Sequence, residues 1–168
     1  KADPADIIIT SCGTESNNTA IIPTALALEG KGKHLITSAT EHHAVLHPMH
    51  YLEELGFEVT YLSVDDTGRV TLQSVMDAVR EDTILVSLMY ANNEVGSINP
   101  IAEIGSFLAE KNILFHTDAV QAFGSETIDV RQQHIDLLSV SAHKINGPKG
   151  IGFLYRKNSL HLPNFIHG

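Results

Sequence analysis

Several features are scarce in this chain of 168 residues, and each scarcity excludes a class of protein. The chain has one cysteine, Cys12, so it cannot form an internal disulfide, and a reducing cytoplasm is the expected compartment. No apolar run approaches the roughly 20 residues that cross a bilayer, and no signal peptide is visible. Basic residues are outnumbered, with 11 Lys and Arg against 20 Asp and Glu, a net charge of −9. This balance argues against nucleic acid or an anionic membrane surface as a partner.

The hydrophobic content of 43% is sufficient for one compact domain with a core of its own. Apolar, β-branched runs alternate with helical patterns, which is typical of a three-layer α/β/α domain with a mostly parallel sheet. The last two strands are joined too closely for a helical crossover, which allows an antiparallel pair there. The patterns predict strands at 7–10, 35–37, 58–64, 84–89, 113–116, 137–140 and 151–155, and helices at 15–28, 43–55, 71–80 and 100–111.

Five polar clusters follow predicted strands, immediately or within a few residues. Sheets of this kind bind ligands in the crevice beyond the carboxyl ends of their strands. Each cluster alone is weak evidence, but five at one edge of one sheet predict a binding site. The clusters are residues 11–15, 40–43, 92–94, 118–121 and 141–144.

The most informative segment is SAHKINGPKG, residues 141–150. It places Lys144 in a turn between two apolar runs, flanked by hydroxyl and imidazole groups and followed by glycine and proline. Such a lysine can form a Schiff base with an aldehyde cofactor, while Ser141 and His143 are available to hold a phosphate. The alternative is an ordinary loop with an exposed lysine.

Three further positions suggest the same chemistry, and each has a simpler explanation. Gly13 and Thr14 lead into a helix N-terminus, which favours an anion, although Thr14 could merely cap the helix. Asp118 ends an otherwise apolar strand, where its carboxylate can pair with a protonated pyridine nitrogen or simply cap a turn. His42 can stack on an aromatic cofactor or take part in proton transfer.

Histidines at positions 42, 43, 47 and 50 require that a metal site be considered. His43 and His47 share one helix face at a spacing of four residues. No HExxH motif and no third, carboxylate ligand accompanies them. We therefore expect no metal.

Five segments together resemble the cysteine desulfurases of the NifS/IscS group. These are pyridoxal phosphate (PLP) enzymes of the class V aminotransferase superfamily. The resemblance covers essentially the whole chain, in the family's order and spacing. The lysine segment marks the superfamily, while TESNN, EHHAV and NNEVG indicate desulfurases. The five segments are residues 10–18 (TSCGTESNN), 40–45 (TEHHAV), 92–96 (NNEVG), 116–121 (HTDAVQ) and 139–150 (SVSAHKINGPKG).

The resemblance implies a PLP-binding large domain of fold type I and a role for each candidate residue. Lys144 would carry the cofactor and later move protons at the substrate's α carbon. Asp118 would pair with the pyridine nitrogen, and His42 would stack on the ring and assist proton transfer. Gln121 and Asn93 would hydrogen-bond the ring's phenolic oxygen and the carboxylate side of the substrate. The phosphate would be held by Gly13, Thr14, Ser141 and His143.

The resemblance also implies parts that this chain does not contain. In this family, a cysteine on a flexible loop well beyond the lysine attacks the substrate's sulfur and becomes a persulfide, but no cysteine follows Lys144 here. Cys12 is expected to be a small buried thiol without a role. The chain begins at Lys1 rather than methionine, and we expect residues 1–168 to be a partial large domain. An amino-terminal segment and a carboxyl-terminal small domain would be absent.

The implied function is the PLP-binding core of a cysteine desulfurase. The full-length enzyme would remove sulfur from L-cysteine, leave alanine, and supply an acceptor protein for iron–sulfur clusters or tRNA thiolation. It would be a cytoplasmic homodimer, and the chain alone would be inactive. Two alternatives remain: another class V PLP enzyme, either an aminotransferase or a selenocysteine lyase, and a non-catalytic scaffold domain.

Overall fold

A computed structural model describes residues 2–166, which form seven strands, four α-helices and two short 3-10 turns. Every predicted helix and strand is present, although several end earlier than expected. The third and fourth strands stop at Leu62 and Ser87, and the third helix stops at Ala78. The strands are β1 (Ile7–Thr10), β2 (His34–Ser38), β3 (Glu58–Leu62), β4 (Thr83–Ser87), β5 (Leu114–Asp118), β6 (Leu137–Ser141) and β7 (Gly152–Arg156), and the helices are α1 (Gly13–Leu28), α2 (His43–Glu54), α3 (Leu72–Ala78) and α4 (Ile101–Glu110).

All seven strands belong to one sheet with the order β1-β7-β6-β5-β4-β2-β3. The five strands from β6 to β3 are parallel to one another, which confirms the mostly parallel sheet. Strand β7 is antiparallel to both β6 and β1. The antiparallel β6–β7 pair was expected from the short connection. Because β7 reverses direction between them, β1 and β6 point the same way, and their carboxyl ends lie on the same edge as those of β2, β4 and β5.

Helices cover both faces of the sheet and complete the three-layer architecture. Neighbouring residues of a strand point to opposite faces, so Leu35 and Ile36 of β2 enter two different cores. Leu35 packs with α1 and α2, and Ile36 packs with α3 and α4. Strands β2, β4 and β6 are buried along their full lengths, as expected for parallel strands between helices. Within residues 2–166, no helix is long and apolar enough to span a membrane.

A polar ladder crosses the middle of this sheet. His116 of β5 is fully buried, and its Nδ1 lies 2.7 Å from Ser87 Oγ of β4. Its Nε2 lies 3.0 Å from Ser139 Oγ of β6. Burial lowers the pKa of His116 to about 3, so the imidazole is neutral in the folded protein. Both ring nitrogens are therefore satisfied by neutral hydroxyl partners, one of which donates while the other accepts.

Candidate active site

The carboxyl edge of the sheet contains a cavity of about 200 Å³ that all nine predicted site residues line. The segments that form it follow β1, β2, β4, β5 and β6, as the sequence predicted. The candidate residues on its wall are Gly13, Thr14, His42, Asn93, Asp118, Gln121, Ser141, His143 and Lys144, and the other lining residues are Cys12, Asn17, Ala44, Met89, Ala91 and Val120.

Helix α1 begins at this cavity without a side-chain cap. Its N-cap is Cys12, and no side chain of the described part of the chain makes a capping hydrogen bond there. The simpler explanation of Thr14 as the N-cap is therefore wrong. A Cβ at Gly13 would lie 2.9 Å from Val120 Cγ2 and 3.4 Å from Ser141 Cβ, so the helix start packs directly onto the ends of β5 and β6. An uncapped helix N-terminus in a cavity wall suits a phosphate.

Cys12 is partly exposed at the same wall, so the expectation of a buried thiol is wrong. The backbone N–H of Glu15 is the main cause that lowers the pKa of the Cys12 thiol, and the Ser11 hydroxyl adds to it. Burial acts in the opposite direction. The first turn of α1 thus favours negative charge at its N-terminus, which is the property that a phosphate site needs.

Asp118 ends β5 at the base of the cavity and is 6% exposed. Its Oδ1 accepts the backbone N–H of Val120 at 3.0 Å, and its Oδ2 accepts Asn17 Nδ2 at 2.7 Å. Burial is the main cause that raises the pKa of Asp118, and these two hydrogen bonds act in the opposite direction. Asp118 therefore does cap its own turn. A buried carboxylate beside a cavity is also stabilised by a cation placed next to it.

Asn17 lines the cavity, although the sequence, in which it forms part of the TESNN segment, had indicated no role for it. It is almost fully buried, and its Oδ1 has no hydrogen-bond partner among the described residues. The available signal was its spacing, because Asn17 lies four residues after Gly13 and so on the same face of α1. Which strand residue it meets could not be read from that spacing.

His42 is the N-cap of α2, and its Nδ1 accepts the backbone N–H of Ala44 at 3.0 Å. With Nδ1 used as an acceptor, the proton of the neutral ring is assigned to Nε2. The capping bond fixes the ring at the cavity wall and leaves only Nε2 for proton exchange. Both predicted roles, ring stacking and proton transfer, are compatible with this placement and stay predictions.

Lys144 follows β6 in a short 3-10 turn, Ala142–Lys144. Ser141 Oγ at the end of β6 lies 2.8 Å from His143 Nδ1, so the two predicted phosphate ligands form a pair. Gly147 packs against this turn, since a Cβ there would lie 2.8 Å from the Ala142 Cβ. Lys144 lines the cavity, whereas Lys149 is not among the lining residues.

Asn93 follows β4 in a turn that its neighbour Asn92 shapes. Asn92 Oδ1 accepts the N–H groups of Glu94 and Val95 at 2.8 and 3.0 Å, and its Nδ2 donates to the Thr40 carbonyl at 3.2 Å. Asn92 is buried and Asn93 is exposed at the cavity. The two asparagines therefore have different roles: Asn92 holds the turn in place, and Asn93 remains available to a ligand.

The histidines of α2 do not form a recognisable metal centre. Across residues 2–166, no group of three or more His, Cys, Asp or Glu side chains is placed to hold a metal ion. The His43 and His47 rings stack on each other with their centroids 5.1 Å apart.

Comparison with known proteins agrees with the resemblance seen in the sequence. The model of the class-V aminotransferase family matches residues 1–164. A putative cysteine desulfurase IscS 1 of Bacillus subtilis is 57% identical over 163 residues, which are 97% of this chain and 43% of that protein. Cysteine desulfurase IscS of Clostridium botulinum is 54% identical over 167 residues, 99% of this chain and 42% of that protein. The chain belongs to the class-V aminotransferase family.

Solved structures give the same answer for the fold. A structure described as SspA in complex with cysteine has a TM-score of 0.96 and 44% identity over 99% of this chain and 49% of its own. A NifS-like protein has a TM-score of 0.94 and 42% identity over 99% of this chain and 46% of its own. The resemblance to cysteine desulfurases and the predicted α/β fold are thereby confirmed. The chain spans less than half the length of these relatives.

Proposed function

We propose that this chain is the PLP-binding core of a cysteine desulfurase. The observation that carries the proposal is the convergence of Lys144, Asp118 and the uncapped start of α1 on one cavity. An amine, a buried carboxyl and an anion site are the three groups that an aldehyde, a pyridine nitrogen and a phosphate require. The residues present therefore fit PLP.

Each side of the cavity would hold one part of the cofactor. Lys144 would bind its aldehyde carbon, and Asp118 would stay ionised against its ring nitrogen while Asn17 holds that carboxylate in place. His42, fixed through Nδ1, would lie on the ring and exchange protons through Nε2. When bound, PLP withdraws electrons from the substrate's α carbon. The phosphate would be held by Gly13, Thr14, Ser141 and His143, and the ring oxygen and substrate carboxylate by Gln121 and Asn93.

The complete enzyme is proposed to act on L-cysteine, to leave alanine, and to pass sulfur to an acceptor protein for iron–sulfur clusters or tRNA thiolation. The chain would be its partial large domain, working as a cytoplasmic homodimer together with segments that carry the reactive cysteine. The identity of 57% to a putative cysteine desulfurase, and the structural neighbour described with cysteine, support desulfuration over transamination or selenocysteine cleavage.

The proposal is tested by titrating the purified chain with PLP and following the absorbance of the lysine-bound cofactor. We expect saturable binding in the wild-type chain and in Lys149→Ala, the matched control, and none of this absorbance in Lys144→Ala. Adding L-cysteine should change the spectrum at lower concentration than adding L-aspartate. A chain that binds no PLP would favour the non-catalytic scaffold, and a preference for L-aspartate would favour an aminotransferase.

A further inference from the structure

Glu41 is a buried carboxyl group beside the site, and the proposed chemistry does not use it. It lies in the turn between β2 and α2, directly before His42, and is 6% exposed. Acidic side chains are almost never fully buried unless they are paired. No salt bridge involves Glu41 among residues 2–166. The burial of the Glu41 carboxyl without an ion pair therefore needs a physical explanation.

The Glu41 carboxyl joins the end of β2 to the chain that continues β4. Its Oε1 accepts the backbone N–H of Met89 at 2.9 Å and the Ser38 hydroxyl at 2.8 Å. Ser38 is the last residue of β2, and Met89 is one of the residues that line the cavity. One oxygen thus connects two strand ends and a cavity-lining residue.

Successive backbone N–H groups after β4 point in opposite directions, which explains why a side chain is needed to accept the hydrogen bond of Met89. The N–H groups of Leu88 and Tyr90 donate to carbonyls of β5, at 3.1 and 2.8 Å. The intervening N–H of Met89 points the other way, toward β2, which has already ended. Glu41 supplies the acceptor that a longer β2 would have supplied through its main chain.

The second carboxyl oxygen of Glu41 indicates its charge state. Oε2 is buried, and no hydrogen-bond partner for it is found in the described part of the chain. An ionised carboxylate with such an oxygen carries a much higher desolvation cost than a carboxylic acid, whose unpaired O–H is also unfavourable but bears no charge. Burial is the main cause that raises the pKa of Glu41 to about 8, and the charge of Asp118 raises it further.

Several polar and ionisable groups surround Glu41. Strand β2 contributes the Ser38 hydroxyl, and the chain after β4 contributes the Met89 N–H. His42 and His43 at the start of α2, and Glu94 in the turn after β4, line the same cleft as Glu41. Within residues 2–166, Asp118 of β5 is the ionisable group whose charge raises the pKa of Glu41. Two buried acids in one region do not both ionise readily.

We propose that Glu41 is a positioning residue of the cofactor site: a neutral carboxylic acid that holds Met89 and the His42 turn in place and leaves the single negative charge to Asp118. The role given to the Asp118 charge rests on the proposed PLP-binding function. Whether Glu41 carries a proton does not depend on PLP, so the protonation of Glu41 and the proposed function can fail separately.

The proton is located by infrared spectroscopy of the chain without cofactor at pH 7. We expect a protonated-carboxyl band in the wild type, its loss in Glu41→Gln, and its retention in Asp118→Asn. Glu54→Gln, which removes an exposed acid at the other end of α2, is the matched control and should keep the band. Loss of the band in Asp118→Asn but not in Glu41→Gln would place the proton on Asp118 and overturn the proposal.

The positioning role is tested by PLP affinity as a function of pH. At pH 7, Glu41→Gln should restore most of the affinity that Glu41→Ala loses, because glutamine mimics the neutral acid. From pH 7 to 9.5, wild-type affinity should fall about tenfold relative to that of Glu41→Gln. The positioning role would be contradicted if the ratio of wild-type to Glu41→Gln affinity did not change with pH. It would also be contradicted if Glu41→Gln and Glu41→Ala lost the same affinity at pH 7. If no variant binds PLP, the proposed function fails and the infrared result alone decides the state of Glu41.

Discussion

At the scale of single residues, the candidate site depends on how a few polar side chains are held. Asp118 is fixed by Val120 and Asn17, and His42 by its capping bond to Ala44. The sequence allowed Asp118 and His42 to be identified because each lies in a polar cluster shortly after a predicted strand. It did not reveal the Asn17 contact, because that pair is separated by 101 positions in the chain.

Asp118→Asn should remove the carboxylate proposed to pair with the ring nitrogen while leaving the hydrogen bond to Val120 possible. In a full-length protein that contains this chain, we expect turnover with L-cysteine to fall by about 100-fold or more, since each 1.4 kcal/mol corresponds to tenfold in rate. The measurement is steady-state alanine production, with circular dichroism to verify folding. Near-wild-type turnover of a folded asparagine variant would refute the role of Asp118.

Glu41→Gln should change the pH dependence of stability. The folded-state pKa of Glu41 is raised from 4.5 to about 8. The folded chain therefore holds a proton that the unfolded chain releases, and its stability falls as pH rises through this window. Relative to wild type, Glu41→Gln should gain in free energy of unfolding as pH rises from about 4.5 to 8, up to a few kcal/mol. Urea titrations at several pH values measure this difference, and a constant difference would contradict a buried, neutral Glu41.

At the scale of helices and strands, the alternating sequence pattern was sufficient to locate every α-helix and β-strand. Boundaries were less predictable. Helix α1 starts at Gly13 rather than Glu15, because its first turn packs against Val120, just after β5, and Ser141, at the end of β6. The antiparallel pairing of β1 with β7 was likewise not predicted, since local periodicity does not identify a strand's neighbour.

The His116 ladder connects β4, β5 and β6, and Ser139→Ala should weaken it. The variant leaves His116 Nε2 buried without its partner at 3.0 Å. An unsatisfied buried group costs about 1–3 kcal/mol. Ser106→Ala, on the exposed surface of α4, is the control and should change stability by less than about 0.5 kcal/mol. Chemical denaturation measures the free energy of unfolding of both variants. If Ser139→Ala were as stable as Ser106→Ala, the ladder would contribute nothing to the stability of the fold.

At the scale of the whole molecule, the sheet places five strand ends on one edge, and the site follows from that arrangement. Residues far apart in sequence, from Gly13 to Lys144, meet because β7 reverses direction and lets β1 join the parallel strands. The predicted site could be assembled from the sequence because each cluster lies at or shortly after the carboxyl end of a strand. The connection between clusters, through Asn17 and Glu41, required the three-dimensional structure.

The chain alone, saturated with PLP, should release no sulfide from L-cysteine. Cys12 is its single thiol and lies at the N-cap of α1, at the proposed phosphate end of the cavity. Sulfide release is measured with and without dithiothreitol, beside Cys12→Ala. Release that the wild-type chain shows and Cys12→Ala lacks would assign the nucleophile to Cys12 and contradict the present account.

The central claim is that Lys144 binds the cofactor. The most direct measurement is borohydride reduction of the chain in the presence of PLP, followed by peptide mapping of the labelled lysine. The account predicts one phosphopyridoxyl label, on Lys144, whose side chain lines the cavity with Asp118 and His42. A label on Lys149 or Lys157 would contradict this account. Labelling of Lys144 that is reduced neither by Asp118→Asn nor by an excess of phosphate would also contradict it.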